Sequence, residues 1–203
     1  MISRTAGQRF RINNYHKLVL DAATNHDATP DYHEKNIIRF GARILPGLHE
    51  RTLKRAFDKL VERHESLRLR FVDDTGDWQA EILAKHPVGL LVENISDLSV
   101  TEQNTLILKR SLEPMTALSH PLFEMVLFKG GETGDVVLAR AQHAIIDGYS
   151  LVILIEDMLK LIIRMPLGAR PPEPPPLKWS APIVRKAEDQ EWRLRDPSPK
   201  RLS

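Results

Sequence analysis

The stretch that decides the fold of this chain is Gln142-His143-Ala144-Ile145-Ile146-Asp147-Gly148-Tyr149-Ser150. Before it, residues 135–141 show the alternation that is typical of a β-strand, and after it residues 151–163 form a strongly apolar run of helical length. The sequence therefore predicts a histidine at the end of a strand, on a glycine-containing turn, ahead of a buried helix. A base in that position can face a channel and still be held rigidly.

The chemistry available at His143 is proton transfer. A neutral imidazole can take a proton from an amine or a hydroxyl that attacks a carbonyl, because the ordinary histidine pKa of ~6.5 lies near working pH. Strand periodicity places His143 on the same side as Val137, Ala139 and Ala141. Taken alone, however, a histidine near a strand end is more often a partly buried polar residue than a catalytic one.

The residues that follow His143 suggest supporting roles. Gly148 lacks a Cβ atom, so a sharp turn and the close approach of a ligand are both expected there. Ser150 is placed to cap a helix that starts at residue 151. A metal site would need a third ligand beside His143 and Asp147, and His120 is the only candidate nearby, so we predict no metal.

The remaining pattern predicts an α/β domain. Leu53, Ala56, Phe57, Leu60 and Val61 recur at the spacing of an amphipathic helix. Helices are predicted at 14–23, 50–64, 101–112 and 151–163, and strands at 36–45, 67–72, 78–83, 88–94, 121–128 and 135–141, the last two as a hairpin. Residues 1–165 are thus predicted to form one domain, a mixed β-sheet with packed helices.

The end of the chain has a different composition. Five of the 14 prolines lie within residues 170–176, which favours an extended, polyproline-like linker or strap. We therefore predict a Pro-rich strap and charged tail over residues 166–203.

Composition limits the function classes. The 203 residues include 29 basic and 27 acidic side chains, and a net charge of +2 offers no general attraction for nucleic acid or a membrane surface. There is no cysteine, which removes thiolate nucleophiles and zinc-thiolate sites. The N-terminus lacks the apolar core of a signal peptide. We expect a soluble, cytoplasmic protein with neither nucleic acid nor membrane as a partner.

Four segments together resemble the condensation domains of nonribosomal peptide synthetases, which belong to the chloramphenicol-acetyltransferase-like superfamily. The spacing His-x-x-x-Asp-Gly is found at residues 143–148, and residues 61–71 are similar to the family's Arg-His-Glu-x-Leu-Arg-x-x-Phe motif. Residues 47–57 resemble its first helix, and residues 119–123 resemble its Gly-Pro-Leu segment. The resemblance covers roughly residues 36–165, and less clearly Trp179 and Trp192 in the tail.

The resemblance implies a fold and a set of roles. The family's fold has two similar α/β lobes with a tunnel between them, into which carrier-bound donor and acceptor enter from opposite sides. By resemblance, His143 is the catalytic residue that deprotonates or positions the attacking amine at a donor thioester. Asp147 is structural and pairs with Arg68, with Arg63 as the fallback, and Gly148 leaves room for the pantetheine arm.

Two departures from the family pattern set the alternatives. Gln142 stands where condensation domains usually have a first histidine, and no second-lobe Asp-Phe-Gly-Trp-Gly motif is found, so we expect an N-terminal lobe only. One interpretation is a transferase lobe of natural product biosynthesis. It would act on acyl groups carried by 4'-phosphopantetheine or CoA, together with an acyl or peptidyl carrier protein and a second condensation-like lobe or its own copy as a homodimer. The other is a non-catalytic docking module for a carrier protein or a synthetase domain.

Overall fold

The computed structural model describes residues 7, 9–24, 36–44, 49–74, 77–115, 117–118, 120–131 and 134–164. The predicted strap and tail at 166–203, including Trp179 and Trp192, lie outside the described residues. The elements follow in the order β1 Arg9–Arg11, α1 Asn14–Thr24, β2 Ile37–Ile44, α2 Glu50–Arg63, β3 Leu69–Asp74, β4 Asp77–Ile82, β5 Leu91–Asn94, α3 Val100–Leu112, β6 Phe123–Lys129, β7 Asp135–Gln142 and α4 Gly148–Arg164.

Two sheets organise the described strands. The larger has the order β2-β7-β6-β5; its β2–β7 and β6–β7 pairs are antiparallel and its β5–β6 pair is parallel. The smaller is antiparallel, with the order β1-β4-β3. The predicted mixed sheet and the predicted β6–β7 hairpin are both confirmed. The strand that leads to His143, β7, lies between two neighbours.

The larger sheet is covered on both faces, because alternate residues of β6 and β7 enter different cores. Phe123, Met125, Val137 and Ala139 join a core shared with α2 and α4. Val126, Phe128 and Leu138 join a second core, against which the partly buried Leu106 and Ile107 of α3 pack. The predicted face of α2 is the buried one, with Leu53, Ala56, Phe57, Leu60 and Val61 all inside. A strand covered on both sides has little freedom to shift.

The sheet face that packs against α3 carries buried charges that are paired. Glu124 and Arg140 lie directly opposite each other on β6 and β7, and their side chains form an ion pair. Arg110 of α3 reaches the same carboxylate at 2.5 Å, and Arg140 donates a 2.8 Å hydrogen bond to the carbonyl of Glu113. A buried charge is costly unless it is paired and hydrogen-bonded, so this network fixes α3 on the sheet.

Some predicted boundaries differ from the structure. Residues 65–68 form a 3₁₀ turn, so the strand expected at 67–72 begins at Leu69. Residues 88–90 lie outside β5, where Gly89 has a φ of 79° that favours glycine. The last helix begins at Gly148, three residues before the predicted start, and β1 was not predicted.

Candidate active site

The turn after β7 is held by three buried side chains. Ala144, Ile145 and Ile146 are 3%, 6% and 4% exposed and belong to the core shared with α2 and α4. The backbone N–H of His143 donates to the carbonyl of Asn36 at 2.6 Å, which ties the turn to the start of β2. The backbone of the turn is therefore fixed on both sides of His143, and the His143 side chain is half-buried.

The imidazole of His143 has a side-chain partner that the sequence does not suggest. The hydroxyl of Tyr15 lies 3.0 Å from His143 Nδ1, and the two ring centroids are 6.4 Å apart. Tyr15 stands in α1, 128 residues earlier in the chain. The α1 helix was predicted, but nothing in its sequence pattern points toward the turn that carries His143.

Asp147 caps the helix α4, and Ser150 does not. The Asp147 carboxylate accepts a 2.7 Å hydrogen bond from the backbone N–H of Ser150, and the carbonyl of Asp147 accepts from the N–H of Leu151 at 3.0 Å. The predicted cap at Ser150 is wrong, because α4 starts earlier and Ser150 lies within its first turn. The bonds from Ser150, with the nearby His143 in support, lower the pKa of Asp147 below its ordinary value of 3.8.

Gly148 is the first residue of α4, and its backbone does not need glycine. It is absent from the residues with positive φ, and a Cβ atom built on it meets nothing within 4 Å. The backbone conformation at position 148 is therefore open to other residues, and a sharp turn does not explain why glycine stands there. Open space next to Gly148 is the feature that the structure does provide.

The predicted ion pair between Arg68 and Asp147 is wrong. Arg68 donates to the carbonyls of Val61 and, by a short hydrogen bond, Leu83, so it joins the end of α2 to the chain after β4. The fallback, Arg63, is also engaged elsewhere: its Nε lies 3.5 Å from the carboxylate of Asp157 in α4. Both arginines lie near the C-terminal end of α2, while Asp147 is occupied by the backbone that it caps.

His64, which lies in the motif at residues 61–71, joins Arg63 at Asp157. Its Nε2 lies 2.7 Å from Asp157 Oδ2, and both side chains are buried. Burial lowers the pKa of His64, and the hydrogen bond to Asp157 opposes that effect. The Arg-His pair of the predicted motif therefore holds α4 against α2.

Gln142, in the position of the family's first histidine, has a structural role in this chain. Its side chain is 1% exposed, and its Nε2 donates to the carbonyl of Met115 at 2.7 Å. Its backbone N–H donates to the carbonyl of Leu122. Gln142 is therefore buried in the protein and links the chain before β6 to the end of β7.

An apolar cavity of about 480 Å³ lies between α4 and the sheet. Its lining includes Phe40, Met125 and Ala139 of the sheet and Leu151 and Met158 of α4. Val137 and Ala139, which also line it, lie on the strand face toward which His143 was predicted to point, whereas His143 itself does not line the cavity. Apart from Arg43, the lining is apolar, so the cavity suits an aliphatic group.

Within the described parts of the chain, no group of three or more His, Cys, Asp or Glu side chains is arranged to hold a metal ion. His120, the third ligand considered above, is exposed. In the same residues, no helix is both long enough and apolar enough to cross a membrane.

Comparison with known proteins supplies the family. The model of the condensation domain matches residues 24–192, so the chain belongs to the condensation-domain family. Cyclosporin synthetase of Tolypocladium inflatum is 30% identical over 125 residues, which is 60% of this chain and 1% of that protein. Tyrocidine synthase 3 of Brevibacillus parabrevis is 34% identical over 120 residues, which is 58% of this chain and 2% of that protein. The chain thus matches a small part of very long peptide synthetases.

Solved structures give the fold. The starter condensation domain of rhizomide synthetase superposes with a TM-score of 0.71 at 16% identity, over 83% of this chain and 42% of that one. The SgcC5 protein of Streptomyces globisporus superposes with a TM-score of 0.62 at 23% identity, over 81% of this chain and 39% of that one. The predicted chloramphenicol-acetyltransferase-like α/β lobe is confirmed. The chain spans less than half the length of these structures.

The cap at Asp147 predicts a pH-dependent loss of stability. Asp147→Ala should lower the free energy of unfolding by about 1 kcal/mol at pH 7, because it removes the acceptor for the first turn of α4. Asp147→Asn, which keeps an acceptor oxygen, should lose less. Since the folded-state pKa is below 3.8, the charged cap stabilises the fold above that value and loses its effect as pH falls further. Urea unfolding at pH 7 and near pH 2 measures this, because the second value lies well below 3.8; an Ala variant equally destabilised at both values would contradict it.

The corrected pairing predicts that Arg68 and Asp147 are energetically independent. In a double-mutant cycle of Arg68→Ala and Asp147→Ala, the coupling should stay within about 0.5 kcal/mol. The matched cycle of His64→Ala and Asp157→Ala should give about 1–3 kcal/mol, because the two buried groups bond directly. Urea unfolding of the single and double variants gives both values. A coupling between Arg68 and Asp147 as large as that of the second pair would restore the ion pair.

Proposed function

We propose that this chain is the N-terminal lobe of a condensation-type acyltransferase. The lobe contributes to the transfer of an acyl group from a carrier-bound or CoA thioester to an amine or a hydroxyl. The observation that carries the proposal is His143 at the end of the central strand β7, on a turn whose neighbouring residues are buried while the imidazole is only half-buried. Family membership supports it, as does a structure of a mutant rhizomide starter condensation domain in complex with C8-CoA and Leu-SNAC.

In this proposal His143 acts on the nucleophile. It takes, or orients, the proton of the attacking amine or hydroxyl while the thioester carbon is attacked, a contribution of about 10²–10⁴-fold for a general base. Asp147 orders the first turn of α4, and Gly148 leaves open the space beside that turn for the 4'-phosphopantetheine arm. The apolar cavity behind α4 supports an aliphatic donor group.

A second surface completes the site. An acyl thioester has to be kept from water, and a single lobe forms one wall of a tunnel. The helix α4 carries exposed apolar side chains at Tyr149, Val152, Ile153, Leu159 and Ile163. Their exposure supports a partner lobe, or a second copy of this chain, packed along α4, because exposed apolar patches mark interaction sites. The carrier proteins of a cytoplasmic synthetase are the proposed source of donor and acceptor.

The alternative function is a non-catalytic docking module for a carrier protein or synthetase domain. It is favoured by one observation: α4 carries exposed apolar side chains, among them Tyr149 and Ile163, which a docked protein would cover. A docking module should bind the carrier protein but transfer no acyl group, whether the protein is tested alone or with a second condensation lobe. The assay below separates the two functions.

His143→Ala should abolish acyl transfer without loss of fold. The test incubates the protein, alone and with a second condensation lobe, with C8-CoA or an octanoyl carrier protein and an aminoacyl-SNAC acceptor, and measures the product by mass spectrometry. A fall of about 10²–10⁴-fold is expected for the His143 variant. The matched control is His49→Ala, which changes an exposed histidine before α2. Unchanged turnover of the His143 variant would rule out catalysis by this residue; absence of transfer by the parent with retained carrier binding would favour the docking module.

Gly148→Ala separates a structural glycine from one that clears space for a substrate. The added methyl group meets no neighbour, and alanine is favoured over glycine in helices, so unfolding should be unchanged or cost up to about 1 kcal/mol more. The KM for the pantetheine-bound donor should rise if the arm passes over this residue. Thermal unfolding and donor titration are the two measurements. An unchanged KM would place the arm elsewhere.

A further inference from the structure

Tyr15 forms a hydrogen bond with one ring nitrogen of His143, the candidate catalytic residue. Its hydroxyl is 3.0 Å from His143 Nδ1. Within the described residues, Nε2 of the same ring has no hydrogen-bond partner from the protein. The ring is therefore oriented through Nδ1, and Nε2 is the nitrogen that remains for a substrate.

The helix α1 fixes where Tyr15 stands. The side-chain oxygen of Asn13 accepts a 2.9 Å hydrogen bond from the backbone N–H of His16, which caps α1 at its start. Further along, Leu20 is fully buried, and Asp21 accepts a 3.2 Å hydrogen bond from the indole of Trp78 in β4. Tyr15 lies next to the cap of a helix that is fixed to the smaller sheet, so its hydroxyl reaches His143 from a rigid element.

We infer that Tyr15 is a positioning residue whose phenolic oxygen accepts the Nδ1 proton of His143, so that the lone pair lies on Nε2. This inference rests on the proposed acyl transfer and assigns to Tyr15 the tautomer that the transfer needs. A neutral imidazole carries one N–H, and the bond made by one nitrogen sets the tautomer. A phenolic oxygen is able to donate and to accept, so it can accept from Nδ1.

The proton balance requires this tautomer. As the nitrogen of the attacking amine forms its bond to the thioester carbon, one proton of that amine moves to His143 Nε2. The carbon–sulfur bond then breaks. The ring is then an imidazolium, which donates from both nitrogens, and Tyr15 remains an acceptor for Nδ1–H. The Nε2 proton passes to the leaving sulfur, which departs as a thiol. Tyr15 is never required to change partner during the cycle.

The test reads the tautomer directly by ¹³C and ¹⁵N NMR of the histidine-labelled full chain at alkaline pH. The chain has 8 histidines, and His143→Gln identifies the signal of His143 by its loss. The parent should show the Nδ1–H form, and Tyr15→Phe should move the population toward the Nε2–H form. The matched control is Tyr149→Phe, which removes a phenol from an exposed residue and should leave the His143 signal unchanged. Where acyl transfer is measurable, Tyr15→Phe should lower kcat by at least about tenfold with KM unchanged.

The outcomes separate this inference from the proposed function. An Nε2–H form in the parent, or a tautomer population unaffected by Tyr15→Phe, overturns the role of Tyr15 even if His143 is essential for transfer. A tautomer that shifts as expected supports the role of Tyr15 even if transfer by the isolated lobe is absent. Circular dichroism shows whether Tyr15→Phe keeps the fold. Should that variant unfold, Tyr15→Trp gives the same readout. The indole N–H of tryptophan can only donate a hydrogen bond, so it must shift the tautomer population of His143 to the Nε2–H form.

Discussion

The position of His143 depends on the burial of strand β7. The strand pairs with β2 on one side and β6 on the other, and its side chains enter cores on both faces of the sheet. Its last residue, Gln142, is fastened to Met115 and Leu122. With a paired strand on each edge and a core on each face, β7 cannot change its register, because a shift of one residue would exchange the side chains of its two faces. Because the end of β7 is fixed, the backbone position of His143, the first residue of the turn, is fixed as well.

The helix α4 is held at both its beginning and its middle. Asp147 caps the first turn, and Asp157 contacts Arg63, the last residue of α2, and the buried His64 that follows it. Breaking a buried polar contact of this kind costs more than breaking a surface pair, because the group left behind is neither solvated nor paired. The Arg63–His64 pair therefore fixes the helix that follows the turn bearing His143.

The sequence predicts those features of the lobe that follow from local pattern. The α2 face, the β6–β7 hairpin and the strand leading to His143 were all predicted from periodicity, and the structure has them. The cap at Ser150 was wrong, because periodicity does not determine helix ends to within three residues. The pairing of Asp147 with Arg68, which the resemblance implied, was wrong because Arg68 donates to backbone carbonyls near the end of α2 while Asp147 caps α4. The contact of Tyr15 with His143 joins residues 128 apart, and a local pattern carries no information about such a pair.

The spacing His-x-x-x-Asp-Gly has a physical reason in this structure. The three residues between His143 and Asp147 are all buried, and they turn the chain from the end of β7 to the start of α4. Asp147 lies directly before the helix and caps it, and His143 lies directly after the strand. The turn length connects the two, which is why their separation is a stronger signal than either residue alone.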